Sequence, residues 1–147
     1  MTDIRQLQDD DIDEFRQLVR LFGEVFEMKD FRLPDDGHLK TVLAGKGFVV
    51  FVTMEGDTVI GGLTAHILPS YYSSFSEVFI YDIAVHPSRQ RQGNGKQLLA
   101  ALNSYCRGNN YKEVFVLSDE ADIHALDFYR SAGGSAQKVV SFSFLSI

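Results

Sequence analysis

The sequence predicts an α+β domain built around a mixed sheet, on three observations. Its 147 residues suit one domain with one contiguous core. No internal repeat, low-complexity tract or linker divides them. The apolar pattern alternates between strand-like runs and helical spacing, with a hairpin early in the chain and a strand–turn–helix later.

Residues 3 to 7 offer at most a short opening strand. Asp9, Asp10 and Asp11 are candidate N-caps for a helix whose apolar positions Ile12, Phe15, Leu18, Val19 and Phe22 share one face, with Gly23 as its predicted stop. Pro34, Asp35 and Asp36 mark a second helix start. Leu39, Val42 and Leu43 form its inner face, and Gly45 its end. A hairpin follows: Phe48 to Met54 as a buried strand, Glu55-Gly56-Asp57 as the turn, and Thr58 to Leu68 as the partner. Gly61-Gly62 within that partner predicts a bulge or a close backbone approach. Pro69 to Ser76 is an aromatic-rich loop. Val78 to Val85 carries the strongest strand signal in the chain. Gly93 to Gly95 lead into a helix from Lys96 to Cys106 with Leu98, Leu99, Leu102 and Tyr105 inward. Glu113 to Leu117 then predicts a short strand, Ile123 to Arg130 a short helix, and Val139 to Leu145 a closing strand.

Composition narrows the function classes. Apolar residues are 45% and charged residues 23% of the chain, which excludes a disordered chain, a collagen-like fibre or a disulfide scaffold. The single cysteine, Cys106, cannot close an intramolecular disulfide, so a reducing, cytoplasmic setting is expected. Phe48 to Val52 is the longest apolar run, far short of the ~20 residues of a membrane-spanning helix. The acidic N-terminus lacks the basic-then-apolar pattern of an export signal. The net charge of −6 lies entirely in residues 1 to 36, with 11 acids and 5 bases; residues 37 to 147 hold 9 of each. Such a balance argues against a nucleic-acid partner and fits either a solvated face or a cationic partner near the N-terminal segment. His38, His66, His86 and His124 have no spacing typical of a metal site, so no metal is expected.

Chemistry concentrates in Val78 to Leu102. A buried strand runs into a turn with Arg89, Arg91, Gly93, Gly95 and Lys96, then into an amphipathic helix. Glycines let backbone N–H groups crowd around a phosphate, and a helix N-terminus adds donors and partial positive charge. A Walker A loop is excluded, because Gln90 stands where its first glycine belongs and Gln97 where Ser or Thr belongs. A dinucleotide fingerprint is excluded by Leu98 in place of its third glycine. Gln90-Arg91-Gln92-Gly93-Asn94-Gly95 instead resembles the acetyl-CoA-binding motif of the GNAT superfamily of N-acetyltransferases: Gln or Arg, two residues, Gly, one residue, Gly or Ala. Asp82-Ile83-Ala84-Val85-His86-Pro87 before it and Ala125 to Gly133 after it strengthen the likeness. Arg20 to Gly23, His66 to Pro69, Ser76 to Val85, and Asp119 with the acidic turn through Asp122 further resemble the type I aminoglycoside 3-N-acetyltransferases, so the likeness runs from about residue 20 to 145. The sequence departs from that pattern at Asn94 and around Ile123-His124.

The resemblance implies a GNAT acyl-CoA N-acyltransferase fold over residues 1 to 147 as a single domain, with a mostly antiparallel mixed sheet flanked by helices. It also implies transfer of an acetyl group from acetyl-CoA to the 3-amino group of an aminoglycoside within a ternary complex, by a homodimer. Asp82 is notable on its own terms, since a carboxylate inside an apolar strand loses hydration it does not easily recover. It is either an amine anchor or base, or a group satisfied by an internal partner. A protonated amine has no lone pair, so a proton acceptor is required before it can attack a thioester. Glu77 is a second candidate base or amine contact, or a solvated strand end. Tyr81, a candidate substrate contact, falls on the opposite face from Asp82 unless the strand bulges, as the resemblance implies it does here. The family pattern has the backbone of Ile83, Ala84 and Val85 bond the pantetheine arm and polarise the thioester carbonyl. Arg91, Gln92, Gly93, Asn94, Gly95 and Lys96 would hold the pyrophosphate. Tyr129 would meet the cofactor and protonate the departing thiolate, against the alternative that Phe128-Tyr129 is core packing.

Asp119 and Asp122 are candidate substrate contacts, with helix capping the alternative for Asp122. Glu24, Glu27, Asp30, Asp35 and Asp36 are candidates for an acidic wall, or individually surface charges and caps. Cys106 reads as a small core residue rather than a nucleophile. Two other functions use the same residues. One is acetylation of another small amine, such as a polyamine, or of a protein lysine; the other, of a different class, is a non-catalytic CoA-binding regulatory module.

Overall fold

In the computed structural model, which describes residues 1–146, β1 (Thr2–Gln6) leads to α1 (Ile12–Val25) and α2 (Asp36–Leu43). Then come the hairpin of β2 (Phe48–Glu55) and β3 (Thr58–Pro69), followed by β4 (Ser76–Val85), α3 (Asn94–Gly108), β5 (Glu113–Val116) and α4 (Ile123–Ser131). The strands form one sheet in chain order, β1-β2-β3-β4-β5. The first four pair antiparallel and β5 joins β4 in parallel, giving the predicted mixed, mostly antiparallel sheet.

The alternation within β2 explains why helices cover both faces. Val50, Val52 and Met54 point to one side, where Phe15, Leu18, Leu21 and Phe22 of α1 and Leu39 and Leu43 of α2 pack on them. Val49 and Phe51 point to the other and meet Leu98, Leu102 and Cys106 of α3 together with Leu63, Ala65, Val78 and Ile80. Leu18, Leu63, Leu98 and Leu102 are wholly buried, and each such side chain stabilises the fold by about 1.5–3 kcal/mol relative to exposure.

Local signals account for most boundaries. Asp35 caps α2, accepting the His38 N–H at 2.8 Å. Gly56, at φ 61°, makes the hairpin turn with Asp57. The Gly61-Gly62 expectation is met in both senses. Ile60 is the extra residue of a bulge opposite Thr53/Met54, and a Cβ on Gly62 would sit 2.6 Å from Leu18 and 2.8 Å from the Phe51 carbonyl. Gly23 is a correction: it does not end α1, which continues to Val25. It lies buried inside the helix because the Phe31 ring packs where a Cβ would stand, 2.7 Å away.

Chain contacts divide the molecule into two compact units, Met1–Leu117 and the segment from Ser118 onward. In the second, Asp122 caps α4 by accepting the Ala125 N–H at 3.1 Å. The closing strand expected over Val139 to Leu145 is not formed. Its apolar residues suit a sheet, but a strand exists only with a ladder partner and this segment has none among the described residues. Val139, Val140, Phe142, Phe144 and Leu145 are all exposed, from 67% to 93%. Among the described residues, no helix is long and apolar enough to cross a membrane.

Candidate active site

The centre of the site is a fault in β4. Asp82 pairs with Thr64 and Ile80 with Ala65, so Tyr81 is an extra residue with no opposite number on β3. Below this bulge Val78 and Ile80 enter the core on the α3 side; above it Ile83 and Val85 do so. Two consecutive side chains, Tyr81 and Asp82, therefore reach the α1 side of the sheet, and both line the same cleft. The parity change anticipated from sequence is present. The ladder to β5 also stops at Ile80↔Val116, so Tyr81 to Val85 have β3 on one side and no strand on the other. The backbone of Ile83 and Ala84 thus runs along an edge with no paired strand among the described residues, while the Val85 carbonyl accepts the Gln90 side-chain amide at 3.0 Å.

The cleft has a volume of about 290 Å³. Its walls are mainly aromatic and aliphatic: Phe15 and Phe22 from α1, Phe31 from the following loop, Phe48 at the start of β2, and His66 on β3. The His66 ring lies 5.1 Å from Phe48 and 6.0 Å from Tyr81, so it is held as part of that wall. Among the described residues, Asp82 is the only acidic group lining the cleft. It is half-buried and forms no ion pair or hydrogen bond among the described residues. Loss of hydration pushes its carboxyl above the ordinary value of 3.8. No internal partner satisfies Asp82 among the described residues, so a half-buried carboxyl stands at an aromatic cleft.

Beyond β4 the chain makes a single 3₁₀ turn, Pro87–Arg89, and enters α3 through a loop with two left-handed residues, Arg91 at φ 61° and Gly93 at φ 84°. Gly93 adopts this at no steric penalty, whereas Arg91 does so at about 1–2 kcal/mol. The early N–H groups of α3 have no intrahelical acceptor. Arg91 and Lys96 are exposed and form no salt bridge among the described residues. Arg89 differs from them. Its guanidinium closes as a fork on Glu55 at the end of β2, with Nε to Oε2 3.0 Å and Nη2 to Oε1 2.6 Å, and holds that carboxyl below the usual range. Asn94 is 5% exposed, and its side-chain amide donates to the Arg89 carbonyl at 2.9 Å. A glycine-bearing loop at a helix N-terminus, with Arg91 and Lys96 in no salt bridge among the described residues, fits a phosphorylated carrier with an extended amide-bearing arm.

Other residues singled out by sequence lie elsewhere or carry local duties. Glu77 is exposed at the start of β4, roughly 15 Å along the strand from Asp82, and is not part of the cleft wall. In the second unit, Asp119 closes a tight turn by accepting the Ala121 N–H at 2.8 Å, and Asp122 is the α4 cap. Tyr129 is half-buried on α4 with its ring 5.3 Å from Phe128. The acids expected to form a wall are partly engaged: Asp36 pairs with Arg16 at 2.8 Å, Asp35 caps α2, and Glu24 lies 3.8 Å from His86. Cys106 is buried and its thiol is pushed up by burial, consistent with a core residue. Sequence reasoning missed Phe31, Phe48 and His66 as cleft residues, because each reads as ordinary core or loop on its own.

Known proteins are similar to this chain in sequence and fold. The profile of the Acetyltransferase (GNAT) family matches residues 5–133. The aminoglycoside acetyltransferase meta-AAC0020, from an uncultured soil metagenomic sample, has been solved in complexes with trehalose and with sisomicin. It is similar at 42% and 41% identity, with TM-score 0.94, over 99% of this chain and 96% of that one. The aminoglycoside acetyltransferase HMB0005, also from an uncultured soil metagenomic sample, is similar at 25% identity and TM-score 0.92, over 100% and 99% of the two chains. The aminoglycoside N-acetyltransferase AAC(6')-Iy in complex with CoA shares the fold at 24% identity and TM-score 0.81, over 100% and 96%. The bulged strand, the glycine loop opening a helix and a profile match over nearly the whole length agree: the chain belongs to the GNAT family of acetyltransferases.

Proposed function

We propose that this protein transfers an acetyl group from acetyl-CoA to a primary amine of an aminoglycoside, at the 3-amino position, by direct attack within a ternary complex. The observation that carries this reading is the Asp82 carboxyl, partly dehydrated and unpaired among the described residues, on the wall of a cleft beside the strand-free edge of β4. The likeness to an aminoglycoside acetyltransferase solved with sisomicin supports the acceptor class, and the type I pattern from Ser76 to Val85 supports the position.

Acetyl-CoA supplies a thioester whose carbonyl the amine attacks. Asp82 attracts the ammonium group and takes its proton, directly or through water, which frees the lone pair; Glu77 assists as an outlying acceptor. The backbone near Ile83, Ala84 and Val85 holds the carrier's arm and donates to the carbonyl oxygen as negative charge develops there. Arg91, Gln92, Gly93, Gly95 and Lys96, with the backbone of Asn94, hold the pyrophosphate. Tyr129 gives its proton to the sulfur as the C–S bond breaks, the extra proton left on the attacking nitrogen passes to solvent, and Asp119 and Asp122 contribute charge toward further amines of the acceptor. The proposed setting is the cytoplasm, and the proposed assembly is a homodimer, which the exposed apolar segment from Val139 to Leu145 favours.

A second reading follows from the cleft itself. Its walls are aromatic with one carboxylate, which also suits a smaller, less polar primary amine. Expression in a susceptible bacterium tests the first reading: resistance to gentamicin-class drugs is the expected result. Unchanged resistance despite good expression excludes the antibiotic substrate. Thiol release across a panel of amines then separates the smaller acceptor from a CoA-binding module, which releases thiol with none of them.

A further inference from the structure

The three basic residues of the loop do not have equivalent surroundings. Arg91 and Lys96 are exposed and unpaired among the described residues. Arg89 is closed on Glu55 by a two-pronged contact spanning 34 residues of sequence, so its side chain ties the loop to the end of the β2–β3 hairpin. The Arg89 backbone is gripped as well, because its carbonyl accepts the buried Asn94 amide five residues on. Between these two anchors lie both left-handed residues, Arg91 and Gly93. A loop in that conformation persists only where its surroundings over-determine it.

We propose that Glu55, Arg89 and Asn94 are positioning residues for the phosphate-binding loop, holding its backbone N–H groups and the Arg91 side chain in place while making no phosphate contact through their own side chains. This rests on the reading that the loop takes the pyrophosphate of CoA. It divides the residues into two groups: Arg91 and Lys96 as contacts, and Glu55, Arg89 and Asn94 as the frame. It also gives a reason for a polar residue at position 94, since an amide there reaches back to Arg89, which a hydrocarbon side chain cannot do. The frame includes a β2 residue that lies outside the sequence motif altogether.

CoA affinity by calorimetry at several salt concentrations, with steady-state kinetics, tests this. Arg91→Ala and Lys96→Ala are expected to weaken CoA binding and to flatten its salt dependence, because each removes a charge that meets phosphate. Glu55→Gln is expected to raise the CoA Kd and the acetyl-CoA KM by about tenfold, with kcat at saturation within about twofold and the salt dependence unchanged, and Asn94→Ala to raise the CoA Kd by a similar factor. Glu55→Arg combined with Arg89→Glu is expected to bind CoA better than either single change, since the reversed pair still anchors the loop. Should Asn94→Ala fail to fold, Glu55→Gln and the reversed pair on the partly exposed surface carry the test. Unchanged CoA affinity in Glu55→Gln overturns the proposal while leaving the loop as the CoA site. So does an Arg89→Gln variant that flattens the salt dependence as Arg91→Ala does. Wild-type protein that does not bind CoA, or affinity untouched by Arg91→Ala and Lys96→Ala, overturns the reading of the loop and the proposal with it.

Discussion

At Asp82 the proposed function and stability are coupled through one carboxyl. Its carboxyl is raised above 3.8 by lost hydration alone, so between that pH and its folded-state value the folded protein binds more protons than the unfolded chain. Stability therefore falls as pH rises through that window, and the ionised carboxylate weakens the fold at neutral pH. Asp82→Asn removes the penalty and the proposed proton acceptor together. The expected outcome is a fall in kcat/KM for the amine of about 10²-fold or more. At neutral pH the Tm should equal or exceed that of the wild type, with the difference shrinking as pH falls toward 4. Stopped activity with a lowered Tm would instead mark Asp82 as structural. This residue was legible in the sequence because an isolated acid in an apolar strand is chemically conspicuous. Asp122 was equally acidic, but it has a cap to make; sequence left both roles open and only the helix start showed the cap.

At the scale of elements, glycines decide what can approach what. Gly62 admits Leu18 and the Phe51 carbonyl, and Gly23 admits the Phe31 ring. Phe31 lines the cleft, so α1 is tied to the cleft wall, the proposed acceptor side, through a missing Cβ. Alanine in a helix interior is favoured over glycine by about 1 kcal/mol, and this opposes the clash at 2.7 Å. Gly23→Ala is therefore expected to leave Tm within a few degrees of wild type. It should raise the KM for the amine about threefold or more while the KM for acetyl-CoA stays put, because the displaced Phe31 ring alters the acceptor wall by of order 1 kcal/mol. Equal changes in both constants would show that α1 does not act through Phe31. Sequence read Gly23 as a stop because glycine is a common helix terminator. The Phe31 ring that overrules this lies eight residues on, beyond the reach of a local pattern.

Over the whole molecule, the net charge of −6 no longer describes an undivided acidic face. Arg16 pairs with Asp13 and Asp36, Arg5 with Glu14, and Asp35 serves a helix. The most prominent exposed feature of the second unit is apolar rather than acidic. Five large hydrophobic residues stand exposed between Val139 and Leu145, with the strand-forming composition that made a closing strand reasonable to expect. Covering such a segment is a strong drive to associate. Light scattering on the eluted protein is expected to give twice the chain mass, and Phe142→Ser with Phe144→Ser to shift it toward a single chain. A monomeric wild type at micromolar concentration would sink the proposed dimer.

The sequence by itself determined the order and kind of the elements from β1 to α4, the antiparallel hairpin and the glycine loop opening a helix, and it marked Asp82 among several candidate acids by its place in an apolar strand. All of these depend on periodicity, turn chemistry and local desolvation, which act over a few residues. Tertiary structure decided which cations are free and which is spent, since Arg89 meets Glu55 across 34 residues. It decided that the cleft is walled by aromatic rings from α1, the loop after it, β2 and β3 rather than by the N-terminal acids. It also decided that Val139 to Leu145 is not a strand here. Ion pairs, cleft walls and sheet ladders each need a second partner brought close by folding, and no local pattern says which partner will arrive.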